Sequence, residues 1–311
     1  MLEKLFSRGK SSVISLIPLD IGGVSIKIPV ADMRGSAPGP TVVVTAGMDG
    51  DEYTGIEAAY RIIDEMQSAE FVGRLVVIPV VNIPGFENES SHCPIDGQFP
   101  KNFFPGSADG SATERIVDWL VQNYLTDASL WVDLHSGAIT EGLNPFAYLY
   151  ETDSDRVDAL TKKMIDTGIS PTILLQTASW GSKPAKLAKM GCAYMLAESG
   201  ARGKCAEEDV QRHVTVVKDA LGAAGMCDRE LGEKRNVVIL RDDGYIEAPF
   251  DGIWRCRSIG VSIQKGDEIG EWCRLDGSDK KIVHAPMSGV PLWWKETMRM
   301  RQGDVLLAIA K

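Results

Sequence analysis

An uncharged, β-branched run that breaks off in glycine and acid does most to limit how this chain can fold. Thr41-Val42-Val43-Val44-Thr45-Ala46 suits a strand buried on both faces of a parallel sheet. It ends in Gly47-Met48-Asp49-Gly50-Asp51-Glu52, and the apolar spacing that resumes over 56–66 predicts a helix. A strand that turns sharply through glycine into a helix leaves its turn at the carboxyl edge of the sheet. In open α/β sheets, ligands bind along that edge. Asp49 and Glu52 are three apart in the turn, so both carboxylates can point at one spot.

The same theme recurs downstream. A second apolar strand is expected over 75–82, and Leu130-Trp131-Val132-Asp133-Leu134-His135 runs into Ser136-Gly137. Cys192-Ala193-Tyr194-Met195-Leu196-Ala197 delivers Glu198 into Ser199-Gly200. Shorter strands are expected over 145–150 and 172–176. Helices are expected over 112–124, 153–168, 183–190 and 206–224. Strands alternating with helices predict an α/β sheet covered on both faces. Gly22-Gly23 between β-branched runs makes residues 12–31 a hairpin, placed as an edge ribbon. Residues 83–110 are rich in Pro, Gly, Ser and Asn without periodicity, and a loop of that length leaving the same edge reads as functional.

After Arg235 the texture changes to short strands and Gly/Pro turns, so the chain divides into an α/β domain over 1–235 and a β domain over 236–311. The second part repeats itself: Ala248-Pro249-Phe250-Asp251-Gly252-Ile253 matches Ala285-Pro286-Met287-Ser288-Gly289-Val290, and Gly266-Asp267 matches Gly303-Asp304. Ile269 matches Leu306 in the same register. Two copies of a hairpin unit that cannot bury a face alone should pack as a small sandwich or barrel. The pattern resembles a biotinyl/lipoyl carrier fold, but Trp272-Cys273-Arg274-Leu275 occupies the tip with no lysine to modify. A structural or lid domain is the expectation.

Composition narrows the function. The net charge of -10 and pI near 5.0 argue against a nucleic-acid surface. No run reaches the roughly 18 apolar residues of a membrane span, and residues 1–6 lack a signal-peptide core, so a cytoplasmic protein is expected. Six scattered cysteines without a Cys-x-x-Cys indicate neither a disulfide framework nor a thiolate zinc site. Four histidines leave a short list for any imidazole ligand.

Asp49, Glu52 and His135 stand at glycine-flanked strand ends and make a zinc-type ligand set with room for water. Glu198, off the metal, could take that water's proton. Each residue also has an ordinary structural reading: Asp49 and Asp51 as caps of the helix near Tyr53, His135 as a satisfied strand-end histidine, Glu198 as a surface charge. The four together are harder to dismiss.

In order, the motifs 47–52, Asn82-Ile83-Pro84, Pro94-Ile95-Asp96-Gly97, Phe104-Pro105-Gly106, Asp133-Leu134-His135 and Glu198-Ser199-Gly200 resemble the succinylglutamate desuccinylase/aspartoacylase family of zinc deacylases. The resemblance spans about residues 40–311. It implies a zinc carboxypeptidase-like mixed α/β sheet flanked by helices, with a small C-terminal all-β domain. It further implies one zinc ion on Asp49, Glu52 and His135, with Glu198 as general base and acid, and deacylation of an N-acyl amino acid or small amide. Two departures stand out. The family's first metal ligand is His where this chain has Asp49, and carboxylate-rich ligation also suits manganese. His92 is a further imidazole within the long loop. The family's Asn-Arg substrate clamp reads Lys101-Asn102 here, so positive charge for a substrate carboxylate falls to Lys101, Arg202 or Lys204, with Asn102 beside the first. Two alternatives follow: a degenerate member that binds a small ligand or partner without turnover, and a carboxypeptidase-like peptidase. A homo-oligomer is compatible with either.

Overall fold

The computed structural model describes residues 13–228 and 236–311; the start over 1–6 and the residues just before the expected domain boundary lie outside them. The chain opens with β1 (Ile14–Asp20) and β2 (Ser25–Arg34), the antiparallel edge ribbon that the sequence predicts. Gly22 and Gly23 turn it at φ of 92° and 94°, where a side chain would be strained. There follow β3 (Thr41–Ala46), α1 (Tyr53–Met66), β4 (Arg74–Ile78), α2 (Ile83–Glu87), α3 (Ala112–Leu120) and β5 (Leu130–His135). The chain continues through β6 (Glu141–Leu143), β7 (Phe146–Glu151), α4 (Asp155–Asp166), β8 (Thr172–Thr177), α5 (Lys183–Lys189), β9 (Ala193–Glu198) and α6 (Glu207–Ala223).

The main sheet has nine strands in the order β1-β2-β4-β3-β5-β9-β7-β8, closed by β10 (Val238–Leu240). β4, β3, β5 and β9 run parallel, while β7 is antiparallel to β9, so the sheet is mixed. Alternation decides which face each side chain joins. Val42 and Val44 of β3 belong to the core built with α1, α4 and α6, whereas Val43 belongs to the core on the other face with Trp131 of β5, α3 and Leu187 of α5. Both faces are covered, as a nearly uncharged central strand requires.

Three elements differ from expectation. β4 ends at Ile78 because Pro79 has no amide to give the ladder. The chain then swings beside the opening turn, with Val81 and Asn82 amides donating to Ala46 and Gly47 carbonyls at 3.1 and 2.9 Å. The aperiodic stretch 83–110 contains α2, capped by Asn82 Oδ1, which accepts from the Gly85 amide at 3.0 Å, and a single tight turn at Pro100–Asn102. The helix expected over 112–124 ends at Leu120 and widens into a π-turn over Val121–Leu125.

The remaining strands are β11 (Asp243–Glu247), β12 (Gly252–Cys256), β13 (Glu268–Cys273), β14 (Lys281–His284), β15 (Val290–Lys295), β16 (Arg299–Met300) and β17 (Val305–Ala310). They form two four-stranded antiparallel sheets, β11-β17-β15-β6 and β14-β13-β12-β16. The repeat is visible in both: β12 and β13 correspond to β15 and β17, and the matched Ile269 and Leu306 are both buried in the shared core. Each copy also clasps the other. Ala248 exchanges two backbone hydrogen bonds with Gly303 and Asp304, and Ala285 exchanges two with Gly266 and Asp267. In both turns the aspartate accepts from the amide three residues back, Gln264 at 2.8 Å and Arg301 at 3.0 Å.

Strands cross the expected domain boundary in both directions. β10 extends the main sheet beyond residue 235, and β6 leaves the first part to pair with β15. Gly142 is what lets β6 lie there, since a Cβ on it would sit 2.3 Å from the Trp294 ring. Gly142→Val should therefore lower unfolding free energy by about 1–3 kcal/mol through overpacking. Chemical denaturation checks this, and an unchanged midpoint would contradict the packing described.

Candidate active site

β3, β5 and β9 are neighbours, and their carboxyl ends stop level with one another. Ala46 lies beside Leu134, and His135 lies beside Glu198. The turn after β3 brings Asp49 and Glu52 to the same place. α1 starts after Glu52 with no side-chain cap, so neither Asp49 nor Asp51 is spent on capping. Asp51 instead accepts from Ser91 Oγ at 2.6 Å.

Asp49, Glu52 and His135 are all buried, and one donor atom from each lies within 4.8 Å of the others. His135 Nδ1 is 2.8 Å from Glu52 Oε2 and 3.9 Å from Asp49 Oδ2. Its other nitrogen, Nε2, is 3.4 Å from Asp133 Oδ2. A proton on that side leaves the Nδ1 lone pair facing the two carboxylates, the arrangement expected of an oriented histidine ligand. Glu52 Oε2 also accepts from the Ser136 amide at 2.9 Å. Asp49 Oδ1 is buried without a hydrogen-bond partner among the described residues. The three donors, all of a kind that takes divalent ions, and the orphaned oxygen fit a bound cation.

The charges confirm the crowding. Burial pushes Glu52 well above the usual carboxylate range, with His135 opposing and Asp49 adding to the rise. Burial would lower His135, but Glu52 and Asp133 hold it well above the ordinary histidine value. Glu198 is pushed up to about 7 by burial, against the pull of His135 and Lys101, and its Oε2 has no hydrogen-bond partner.

Lys101, carried by the turn at Pro100–Asn102, pairs directly with Asp49 Oδ2. Burial works against its charge, but Asp49 and Glu52 more than offset it and keep the ammonium protonated. Lys101 and Asn102 line a cavity of about 400 Å³ together with Glu52, His135 and Glu198. Arg202 does not line it; its guanidinium is held by Glu296 through bonds of 2.6 and 2.5 Å. Lys204 is exposed. His92 bonds Ser90 Oγ at 2.9 Å and stands edge-on to Phe99, apart from the three-donor group.

Several site residues were not singled out from sequence. Asp133 was legible, because alternation puts it on the same strand face as His135. It is fully buried and accepts from Thr45 Oγ1 at 2.6 Å and Tyr194 OH at 3.2 Å. Lys183 donates to Tyr194 OH at 2.7 Å with its ammonium over the Tyr194 and Trp131 rings, and burial pushes it down to about 8. Glu141, Tyr148, Tyr245 and Trp293 complete the cavity wall from β6, β7, β11 and β15. No local motif announces them, since β6 and the C-terminal sheet meet only in three dimensions.

A family model described as the succinylglutamate desuccinylase/aspartoacylase catalytic domain matches residues 38–223. The N-alpha-acetyl-L-2,4-diaminobutyric acid deacetylase of Halomonas elongata is 33% identical over 129 residues, 42% of this chain. The match spans only 37% of that protein's length. A succinylglutamate desuccinylase from Silicibacter sp. TM1040 shares the fold with a TM-score of 0.79 at 24% identity, over 96% of this chain and 93% of that one. The ectoine utilization protein EutE (DoeB) of Ruegeria pomeroyi, solved with product bound, gives 0.81 at 24% identity over 97% and 99% of the two chains. These structures share the mixed α/β sheet, its flanking helices and the added antiparallel sheets.

Asp133→Ala should test the layer behind the site. It removes a buried acceptor from Thr45 and Tyr194 and the carboxylate 3.4 Å from His135 Nε2, which should cost about 3 kcal/mol of stability. Divalent-ion affinity should fall about 10–100-fold as His135 loses its orienting partner. Denaturation and calorimetric metal titration read the two effects separately.

Proposed function

The chain belongs to the succinylglutamate desuccinylase/aspartoacylase family, and on that premise we propose that it is a metal-dependent hydrolase removing the acyl group from an N-acyl amino acid or small amide. The Halomonas elongata relative is named for such a substrate. The observation that carries the reading is Glu198, a half-buried residue whose buried Oε2 has no hydrogen-bond partner, in one cavity with Glu52 and His135 of the three-donor set. Asp49, Glu52 and His135 would hold the ion, zinc in the first place and manganese in the second. When bound, a divalent ion there supplies Lewis acidity that acidifies a water and polarises the amide carbonyl.

The chain's own residues do the rest. Glu198 takes a proton from the attacking water and passes it to the departing nitrogen as the C–N bond breaks, so hydroxyl ends on the acyl carbon and hydrogen on the amine. Asn102 offers an amide toward the substrate's carboxylate, and Lys101, paired with Asp49, would have to turn from it to add its charge. A cavity of about 400 Å³ suits a small acylated amino acid.

One feature favours a second reading. The Lys101 ammonium already satisfies one oxygen of Asp49, which would suit a member that binds ligand without metal or turnover. Asp49→His separates the two: activity with added zinc or manganese confined to that variant assigns the natural chain to binding alone.

As base, Glu198 must be ionised. In the metal-free protein its carboxyl is raised to about 7, and a nearby divalent ion would draw the midpoint lower. kcat/KM should therefore fall as pH drops through or below about 7. Glu198→Gln should lose about 10²–10⁴ in kcat. The stability effect runs the other way. The fold holds the Glu198 proton more tightly than the unfolded chain does, so metal-free stability should decline as pH rises from the ordinary glutamate value to about 7. Melting of wild type and Glu198→Gln across that window checks the sign, since the variant should lose that part of the slope. Activity that survives Glu198→Gln, or a purified protein that neither holds nor responds to divalent ions, would remove the hydrolase reading.

A further inference from the structure

His213 is a buried imidazole that deacylation leaves without a task. It stands on the inner face of α6 beside Val210, Val214 and Val217, which belong to the core that also holds Leu134 and Ala197. By alternation the side chains of His135 and Glu198 project to the opposite face, so His213 meets the backbone of those strands from behind. An apolar core accepts an imidazole only where its N–H is paired. His213 Nε2 lies 2.9 Å from the His135 carbonyl oxygen and 3.2 Å from the Ser199 carbonyl oxygen. Both are acceptors, so the ring carries its proton on Nε2 and shares it between them. Nδ1 has no hydrogen-bond partner among the described residues, and burial pushes the ring down to about 4, which keeps it neutral.

The two carbonyls belong to the strand ends that carry the chemistry. His135 closes β5, and Ser199 follows Glu198, which closes β9. The two strands pair regularly up to His135 and Glu198. Beyond that point the Ser199 amide donates to the His135 carbonyl at 3.3 Å and the Gly137 amide to the Gly200 carbonyl at 2.9 Å. Glu198 Oε2 has no hydrogen-bond partner, so the carboxylate takes its place from the backbone that carries it. Close packing does not fix that backbone from behind, because a cavity of about 350 Å³ opens there, lined by Ala197, Ser199, His213 and Val216. The shared N–H is the restraint that remains, and it reaches both ends at once.

We infer that His213 is a positioning residue: its shared N–H staples the ends of β5 and β9 together and thereby sets the spacing between His135 and the Glu198 carboxylate. The inference rests on the deacylase reading for its effect on turnover, and on the two hydrogen bonds for the staple itself.

The test compares wild type with His213→Phe, which keeps a ring but loses the donor, and with His213→Gln, whose side-chain amide can place an N–H near the position of Nε2. All are assayed well below their melting temperatures, with zinc added, on an N-acetyl amino acid. In His213→Phe kcat should fall about 10–100-fold, the range for a misplaced catalytic group, with KM within about twofold of wild type. Zinc affinity by calorimetry should fall about tenfold. His213→Gln should recover most of both losses. Hydrogen exchange at the Ser199 and Gly137 amides should quicken about tenfold in His213→Phe, the factor for one hydrogen bond, while the β3 amides keep their wild-type rates. A folded His213→Phe with wild-type kcat and zinc affinity overturns the inference, since a merely structural histidine would move only the melting temperature. So does a His213→Gln no better than His213→Phe. If wild type hydrolyses nothing, the deacylase reading has failed, and exchange still decides the staple. Quickening at those two amides in His213→Phe, reversed in His213→Gln, supports it; unchanged rates overturn it. Should His213→Phe not fold, His213→Asn, whose shorter amide cannot reach both carbonyls, takes its place.

Discussion

Four carboxyl groups crowded where water is largely excluded are the constraint that the rest of this structure answers. Asp49, Glu52, Glu141 and Glu198 gather at one sheet edge, and burial raises the carboxyl of Glu52, Glu141 and Glu198. A desolvated carboxylate is tolerated only when paired, protonated or bound to a cation. Lys101 is the lysine that lines the cavity, and it reaches one of the four directly. An array of this kind is a poor way to stabilise a fold and a good way to attract positive charge. That is why a cation-binding reading arises from the electrostatics of the site alone.

The array is held by layers that are themselves conventional. Parallel register places the ends of β3, β5 and β9 side by side, so residues distant in sequence become neighbours without any long reach. Behind His135, Asp133 is locked by Thr45, whose hydroxyl in turn accepts from Trp131 Nε1 at 2.7 Å. Tyr194 and Lys183 close the other side of the Asp133 carboxylate. Every member is bonded to its neighbour, which is the condition under which a buried polar network rigidifies a site.

What could be read from sequence follows physical lines. β3, β5 and β9 were legible because apolar runs that stop at a glycine-bearing turn have few other uses. The repeat was legible because Ile269 and Leu306, with their Gly-Asp turns, preserve one register; the clasp between the copies is the structural reason for that identity. Asp49, Glu52 and His135 were found by residue type at strand ends, and they do converge. Arg202 was drawn from charge alone, and the bidentate bond to Glu296 could not be seen from spacing. Glu141, Tyr148, Tyr245 and Trp293 were out of reach for a different reason. Their convergence depends on β6 pairing with β15, across about 150 residues of sequence, and contacts of that separation leave no periodic trace.

Asp49 looks different once Lys101 is placed. From sequence, two carboxylates and an imidazole would bring two negative charges to a divalent ion and leave it neutral, a weak acidifier of water. The structure adds the Lys101 ammonium against Asp49, so the local set of Asp49, Glu52, His135 and Lys101 carries one net negative charge with His135 neutral. That equals the charge of a set with two imidazoles and one carboxylate. Asp49 and Lys101 therefore act as one electrostatic unit, and neither residue can be weighed without the other.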